Sequence, residues 1–129
     1  MKKIVKSEDE WRNKLSELAF RVTRKAETER PFIDHGFSKL RGRFTCVCCN
    51  LDLFNSDTKF NSGSGWPSFY DVMDPNSVTM SHDTSHSMSR TEVSCSRCDA
   101  HLGHVFSDGP APTGLRYCIN GVSLKFVPN

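Results

Sequence analysis

The 129-residue sequence has no long apolar segment and no internal repeat beyond two short cysteine motifs. No stretch approaches the roughly 20 apolar residues that a membrane-spanning helix requires, so no membrane partner is expected. The start of the chain has no apolar run of signal-peptide length, and acidic residues begin at Glu8, which argues against a transit peptide. These absences predict a soluble, cytoplasmic protein.

Charge of one sign is also scarce. The 17 basic and 15 acidic residues leave a net charge of +2 and are mostly interspersed. A nucleic-acid-binding domain is expected to carry a basic patch or stripe, so nucleic acid is not predicted as a partner. Only 36% of the residues are hydrophobic. The length predicts a single domain over residues 1–129, whose modest core would gain from a staple such as a structural metal.

Helical periodicity is confined to the N-terminal part. Ser7 and Glu10 match a capping box, and the apolar residues that follow keep a helical spacing. A short helical segment is therefore predicted at about residues 7–24. Ser16 is placed to cap a second helix after a bend, and Pro31 ends the helical region because proline disfavours helix in the residue before it.

A β core is predicted from about residue 43 to 127, where short apolar runs alternate with Gly, Pro, Asn and Asp. The segment Asp74–Ser89, rich in Ser, His, Met and Asp, is interpreted as a long surface loop. The candidate strands are Arg43–Val47, Leu51–Phe54, Thr58–Phe60, Ser77–Met80, Thr91–Cys95, His104–Phe106, Arg116–Ile119 and Val122–Val127.

Four of the six cysteines form two Cys-x-x-Cys pairs, the pattern with which a chain builds a four-thiolate zinc site. The long separation of the pairs, Asn50–Ser94, means that such a site would join distant parts of the chain. All four positions would be filled, so the zinc would be structural. The alternative is a redox dithiol of the thioredoxin kind, while Cys48 between two ligands is expected to be a buried thiol. The predicted ligands are Cys46, Cys49, Cys95 and Cys98.

Cys118 is the cysteine that the zinc site does not need. On a strand, Arg116, Cys118 and Asn120 would project to one face, because side chains alternate. A fixed positive charge on Arg116 favours the thiolate and lowers the pKa of Cys118, which makes the sulfur nucleophilic. The alternative is a structural cysteine buried on a strand.

Two further features carry chemistry. His101 and His104 would point to opposite faces of a flat strand, but Gly103 permits a bend that brings both to one site, where a histidine can donate a proton. The small residues of Ser62–Phe69 lead into Trp66-Pro67 and suggest a loop that presents an indole. An indole is a suitable wall for a methyl group or an electron-poor sulfur; the alternative is a core tryptophan.

From Glu10 to Phe126 the sequence resembles methionine sulfoxide reductases of the B type. The matching motifs together are specific, although no single one is. They are Arg21–Arg24, Thr28–Phe32, Cys46–Cys49, Ser62–Phe69, Arg90–Val93, Cys98–Phe106, Asp108–Pro110 and Pro112–Asn120.

The resemblance implies a mainly β fold, a zinc-stapled β-tent with two antiparallel sheets around the active site and short N-terminal helices outside. It implies reduction of the R epimer of methionine sulfoxide, chiefly in oxidised proteins, by a monomer that holds one structural zinc ion. Thioredoxin or a small thiol would be the reductant. By motif, Cys118 is the nucleophile, His104 is the active-site histidine with support from His101, Asp108, Arg116 and Asn120, and Trp66 with Phe106 contacts the substrate.

Two segments depart from the family pattern. Many members carry a recycling cysteine at the position of Ser64 and others at the position of Asn61, and this sequence has neither. Cys48 is then the only cysteine free of both zinc and catalysis, and we favour direct reduction by an external thiol over a Cys48–Cys118 disulfide. The segment Ile33–Thr45 also differs in length and composition.

Two other functions compete with the enzyme. A zinc-ribbon binding module would explain the four paired cysteines but not Cys118, the histidines or Trp66. A small-ligand or GTPase-partner protein on the same zinc-bound scaffold is the second alternative, because a fold does not fix a function. The presence of Cys118 favours the enzyme.

Overall fold

A computed structural model describes residues 1–37 and 39–129 of the chain. Two short helices come first, α1 (Glu8–Lys14) and α2 (Glu17–Lys25). Nine strands follow: β1 (Gly42–Cys46), β2 (Asp52–Asn55), β3 (Lys59–Phe60), β4 (Ser68–Phe69), β5 (Val78–Asp83), β6 (Arg90–Cys95), β7 (His101–Phe106), β8 (Arg116–Ile119) and β9 (Leu124–Pro128).

The capping residues predicted for the helices are confirmed. Ser7 Oγ accepts a hydrogen bond from Glu10 N, and Glu10 Oε1 accepts one from Ser7 N, each at 3.2 Å. Ser16 Oγ accepts from Ala19 N at 3.1 Å and so caps α2. Each cap satisfies a backbone N–H group that a helix start would otherwise leave without a partner.

The strands form two antiparallel sheets, as predicted. The smaller sheet has the order β2-β1-β9, and the larger has the order β3-β4-β8-β7-β6-β5. Strand β9, from the C-terminus, pairs with β1, from the start of the β region. Helix α2 packs against β7. The larger sheet therefore carries both histidines of β7 and the thiol of β8 at its centre.

The core lies between the two sheets and is mostly aromatic. Phe44 and Phe54 project from the smaller sheet, and Phe69 and Tyr117 project from the larger one. The rings of Phe54 and Phe69 stack with centroids 4.4 Å apart, and Phe44 meets Phe69 edge to face at 5.1 Å. Such contacts contribute beyond the burial of area, which helps a chain with few apolar residues.

Three expectations about the strands were wrong in part. Strand β5 takes up six residues of the predicted surface loop Asp74–Ser89 and extends the candidate strand Ser77–Met80 as far as Asp83. It lies at an edge of the larger sheet with most of its side chains exposed, so its sequence is polar. Strand β4 was not predicted because it lies at the end of Ser62–Phe69, which was interpreted as a loop. Gly121–Ser123 forms a 3-10 turn, so the last strand begins at Leu124 and not at Val122.

Strand β7 begins at His101, three residues before the predicted start. Within the segment Ile33–Thr45, Ser38 lies outside the described residues, and β1 occupies the end of the segment. In the described part of the chain, no helix is long and apolar enough to cross a membrane.

Candidate active site and metal centre

The two Cys-x-x-Cys pairs converge on one point. The sulfur atoms of the four paired cysteines lie within 4.8 Å of one another. Cys46 and Cys98 Sγ are 3.6 Å apart, and so are Cys49 and Cys95 Sγ. Four sulfurs held at about 2.3 Å from a tetrahedral zinc ion stand about 3.8 Å from each other. The predicted ligand set is therefore assembled, and its donor type and spacing fit a metal ion.

Each pair is shaped by a turn that ends in a left-handed residue. Asn50 has φ 65° and Asp99 has φ 63°, and their N–H groups donate to the carbonyls of Cys46 and Cys95 at 2.8 and 2.9 Å. Asn and Asp tolerate this conformation better than other residues with a side chain.

Arginine side chains tie the metal centre to its surroundings. Arg24 Nη2 in α2 donates to the carbonyl of Cys98 at 2.7 Å, and Arg97 Nη2 donates to the carbonyl of Cys49. Cys48 is 1% exposed and lies close to Cys46 and Cys98. It is a buried thiol, as expected.

The thiol of Cys118 and the imidazole of His104 lie side by side. His104 in β7 is directly opposite Cys118 in β8 in the antiparallel register. Directly opposite residues in an antiparallel pair project their side chains to the same face. Cys118 is partly exposed, and His104 is 8% exposed. The pairing places the thiol of Cys118 and the imidazole of His104 on the same floor.

A bulge in β7 brings His101 to the same side as His104. Against β6, Val93 pairs with Gly103 and Ser94 pairs with His101, so Leu102 is the extra residue. An extra residue reverses the alternation of side chains, and the two imidazole rings meet at a centroid distance of 5.6 Å. The predicted bend therefore exists as a bulge. A Cβ atom on Gly103 would collide with the backbone of Cys118, so this close strand contact requires glycine.

Each histidine is held by a carboxylate. His104 Nε2 is 2.8 Å from Asp83 Oδ2, and Arg90 Nη2 approaches the same oxygen at 3.4 Å. The hydrogen bond with His104 holds the pKa of Asp83 well below its usual range, so Asp83 stays ionised and orients the ring. Because Nε2 is engaged, Nδ1 is the ring nitrogen left for a substrate.

His101 differs from His104 in its position and its hydrogen-bond partners. Its Nδ1 is 2.6 Å from Glu92 Oε2, while its buried Nε2 has no hydrogen-bond partner within the described residues. Burial lowers the pKa of His101 and outweighs the opposing effect of Glu92, so the ring is neutral. His101 lies behind His104 and does not line the cleft.

The surroundings of Cys118 do not lower its pKa overall. Burial raises the pKa of the thiol, and the hydrogen bond from Ser64 and the charge of Arg116 oppose that rise without overcoming it. Ser64 Oγ is 3.8 Å from Cys118 Sγ. Arg116 thus lowers the pKa of Cys118 as predicted, but the net pKa of the thiol is raised because desolvation by burial is the larger effect.

Arg116 is held by two partners. Its Nε and Nη2 donate to the two carboxylate oxygens of Asp108 at 2.9 and 3.2 Å, and its guanidinium lies 4.4 Å from the centroid of the Phe106 ring. The hydrogen bond to Asp108 raises the pKa of Arg116, and the same bond lowers the pKa of Asp108. Arg116 is a fixed cation at the edge of the cleft, with Asp108 outside it.

The indole of Trp66 is fixed from the opposite side of the cleft. Its Nε1 donates to the backbone carbonyl of Glu29 at 3.0 Å. Asn120 Nδ2 donates to the carbonyl of Leu102 at 3.1 Å, and Asn120 Oδ1 accepts from Glu29 N at the same distance. Asn120 is therefore on the predicted face, but both of its amide atoms bind backbone groups.

These side chains surround one cleft of about 340 Å³. It holds six of the eight residues predicted for catalysis and substrate binding, and the other two, His101 and Asp108, each contact a residue that lines it. The lining residues are Thr28, Ser64, Trp66, Arg90, Gly103, His104, Phe106, Arg116, Cys118 and Asn120.

Sequence reasoning missed three carboxylates around this cleft, Asp83, Glu92 and Glu29. Asp83 was assigned to a surface loop, and Glu92 and Glu29 were noted only within longer motifs. Both Asp83 and Glu92 lie on strands that the β6–β7 and β5–β6 pairing places beside the histidines. If the β5–β6 hairpin had been predicted to extend as far as Asp83, the pairing of the strands would have placed Asp83 near the histidines.

Comparison with known proteins gives a consistent result. The SelR domain family matches residues 15–128 of the chain. Over 129 residues the chain is 57% identical to the peptide methionine sulfoxide reductase MsrB of Pseudomonas putida (strain GB-1), covering 99% of this chain and 98% of that protein. The MsrB of Methanosarcina barkeri (strain Fusaro / DSM 804) is 56% identical over 126 residues, which is 97% of this chain and 89% of that protein. The chain belongs to the MsrB family of peptide methionine sulfoxide reductases.

Proposed function

We propose that the protein reduces the R epimer of methionine sulfoxide in oxidised proteins to methionine, with Cys118 as the nucleophile. The observation that carries this proposal is the cross-strand pair of His104 and Cys118 on the floor of a cleft that Trp66 and Arg116 border. The cleft suits a methyl sulfoxide, a small polar group bonded to a methyl group. It combines a nucleophile, a proton donor, an apolar wall and a fixed cation.

Protonation of the sulfoxide oxygen starts the reaction, because the sulfur is a poor electrophile until its oxygen is protonated or strongly hydrogen-bonded. His104 donates this proton through Nδ1, while Asp83 holds the opposite ring nitrogen at 2.8 Å. His101 is neutral and acts through packing against His104. Only His104 is then in a position to act as the general acid.

After His104 has protonated the sulfoxide oxygen, the thiol of Cys118 gives its proton to that ring, and the thiolate attacks the sulfoxide sulfur to form an S–S bond. The hydroxyl group then moves to the sulfur of Cys118 while the S–O and S–S bonds of this adduct break, and methionine leaves. The substrate gains two electrons, and the thiol of Cys118 is oxidised to a sulfenic acid. Arg116 favours the thiolate against the effect of burial, so it supports the attack even though the thiol is mostly protonated in the free enzyme.

Three anchors select the epimer. The oxygen binds on the side of His104, the methyl group packs against the indole of Trp66 with Phe106 nearby, and the sulfur faces Cys118. The S epimer would exchange the oxygen and the methyl group, which places a polar atom on the indole and a methyl group on the acid. Such a mismatch leaves a polar group unpaired, which is costly in a partly buried site.

An external thiol returns the enzyme to its starting state. The first thiol condenses with the sulfenic acid of Cys118 and releases water, and a second thiol breaks the resulting mixed disulfide. Cys48 is buried beside the metal centre and does not line the cleft, which supports direct reduction over a Cys48–Cys118 disulfide. The reductant is thioredoxin or a small thiol.

We assign zinc to the four-cysteine centre, with a structural role. Four thiolate sulfurs are the donor set that structural zinc prefers, and their spacing fits its tetrahedron. The centre joins β1 to the turn between β6 and β7 across the core. Cys46, Cys49, Cys95 and Cys98 would hold the ion, and its contribution is to folding and not to the reaction.

Cellular context follows from the cysteines. Six cysteines without a disulfide, together with a thiol reductant, suit the reducing cytoplasm.

The large exposed apolar side chains within the described residues are few and spaced along the chain, which supports a monomer. Light scattering after size exclusion would test the oligomeric state.

An epimer-resolved assay tests the activity. Dabsylated methionine R- and S-sulfoxides are each incubated with the protein and dithiothreitol, and the methionine product is quantified by chromatography. We expect turnover of the R epimer with little turnover of the S epimer. Equal turnover of both, or none of either by the zinc-loaded protein, would reject the proposal.

A further inference from the structure

Glu29 is a buried carboxylate beside the cleft that no step of the reaction uses. Its side chain is 1% exposed. Oε1 accepts a hydrogen bond from Val122 N at 2.9 Å, and Oε2 is 2.8 Å from His35 Nε2. Burial of a carboxylate is costly unless strong partners compensate, so two such contacts fix this side chain in one place.

The backbone of Glu29 holds both walls of the cleft. Its carbonyl accepts the hydrogen bond of the Trp66 indole, and its N–H donates to Asn120 Oδ1. Thr28, its neighbour, lines the cleft. The position of this one residue therefore determines where the indole lies relative to Cys118.

His35 holds Glu29 from the outside. Its side chain is 13% exposed and stacks on Phe37 at a ring distance of 5.4 Å. Its imidazole lies so close to Gly121 that a methyl group there would overlap the ring. His35 comes from Ile33–Thr45, the segment that departs from the family pattern, and so brings that segment against the back of the active site.

A second contact joins the same loop to the loop of Trp66. Phe32 N donates to the carbonyl of Gly65 at 2.7 Å, and the Phe32 ring covers Gly65 so closely that a side chain there would not fit. The segment from Glu29 to His35 thus contacts residues 65 and 66 at two points. These contacts allow the segment to set the orientation of the indole.

We propose that Glu29 and His35 are positioning residues that fix the Trp66 indole and so set the size of the substituent that the site accepts on the sulfoxide sulfur. This inference rests on the proposed function, because it takes Trp66 to be the wall for the methyl group. The hydrogen bond between Glu29 and His35 stabilises residue 29, residue 29 holds the indole, and the indole limits the space beside the reacting sulfur.

The kinetic test compares R-methionine sulfoxide with R-ethionine sulfoxide, which has one more methylene on the sulfur. One methylene in a shaped apolar site changes kcat/KM by about 10-fold or more. We expect Glu29→Ala and His35→Ala to lower this preference at least about threefold, because a less constrained indole admits the ethyl group. Glu29→Gln keeps an acceptor for Val122 N and should restore most of the preference.

A stability control separates positioning from general damage. Leu53 is fully buried in β2, away from the cleft. Leu53→Ala should lower the melting temperature and leave the methyl-to-ethyl preference unchanged. If His35→Ala also lowered the melting temperature without changing the preference, the positioning role would be rejected.

A spectroscopic test does not depend on activity. The chain has two tryptophans, so labelling with 5-fluorotryptophan gives two fluorine resonances, which Trp66→Phe assigns. In Glu29→Ala and His35→Ala we expect the Trp66 resonance to shift and broaden, while the Trp11 resonance stays in place. An unchanged Trp66 resonance in both variants would overturn the inference. An inactive wild type with these shifts would reject the proposed function alone.

Discussion

The metal centre is assembled from two short motifs and is closed, whereas the active-site cleft is assembled from distant strands and is open. Each cysteine pair brings its own turn, and the two turns are alike, with Asn50 and Asp99 at the same place. The cleft instead needs the register of β6, β7 and β8 together with a bulge at Leu102. Local motifs can stabilise a site, but combining different chemical groups in one cleft requires the whole sheet.

Removing one sulfur from each region should separate stability from activity. Cys118→Ser should abolish turnover while the protein stays folded, because Cys118 is not one of the four clustered cysteines and a serine can still hydrogen-bond to Ser64. Cys95→Ser should lose the metal and much of the stability, since metal binding is coupled to folding. Activity, melting temperature and zinc by elemental analysis are measured for both. The distinction between a catalytic and a structural cysteine would be lost if Cys118→Ser turned over at the wild-type rate, or if the Cys95→Ser protein were folded without metal.

Within the cleft, the next largest effect is expected at the acid and its carboxylate. His104→Ala should slow the chemical step by about 100-fold or more, the usual contribution of a positioned acid. Asp83→Asn should slow the chemical step less, because the His104 ring can still donate a proton but loses the carboxylate that orients it. Single-turnover rates check both values. A change in KM alone for His104→Ala would assign the acid role to another group.

The sequence predicted the metal centre better than the cleft for a physical reason. Two ligands spaced by two residues imply their own geometry, so the four cysteines were found without knowledge of the fold. Asp83, Glu92 and Glu29 reach the cleft only through strand register or a buried loop, which no local pattern shows. The bend at Gly103 was predicted, but its cause, the extra residue Leu102, became clear only from the pairing.

A cysteine placed beside Cys118 should change how the enzyme is recycled. Ser64 Oγ is 3.8 Å from Cys118 Sγ, so a cysteine at position 64 would bring a second sulfur next to Cys118. In Ser64→Cys we expect substrate turnover to produce a disulfide with Cys118, detected by mass spectrometry, and thioredoxin to reduce it. Asn61→Cys is the comparison, because Asn61 lines a neighbouring groove. Equal disulfide yields in both variants would point to a mobile loop and not to preset geometry.

The rate at which Cys118 is alkylated should depend on pH. Burial raises the pKa of Cys118, so its alkylation by iodoacetamide should accelerate as the pH rises into the alkaline range. Arg116→Gln removes an influence that lowers this pKa, so the curve should move to higher pH and the rate at pH 8 should fall several-fold. Arg43→Gln, outside the cleft, is the control. A shift toward lower pH in Arg116→Gln would contradict this electrostatic account.

The smallest effect is expected in the turn between β5 and β6, on the cleft side of the molecule. His86 and Ser87 have φ values of 57° and 58°, whereas the left-handed positions of the metal centre hold Asn and Asp. Residues other than Gly, Asn and Asp pay about 1–2 kcal/mol in this conformation. Glycine removes that strain but costs about 0.5–1 kcal/mol in chain entropy.

Ser87→Gly should therefore stabilise the protein by about 0.5 kcal/mol, or raise the melting temperature by about 2 °C, without loss of activity. Ser89→Gly is the matched control, because Ser89 has no positive φ and glycine there should only destabilise. Chemical denaturation of the zinc-loaded proteins gives both values. Two equal losses of stability would show that the turn is not strained at Ser87.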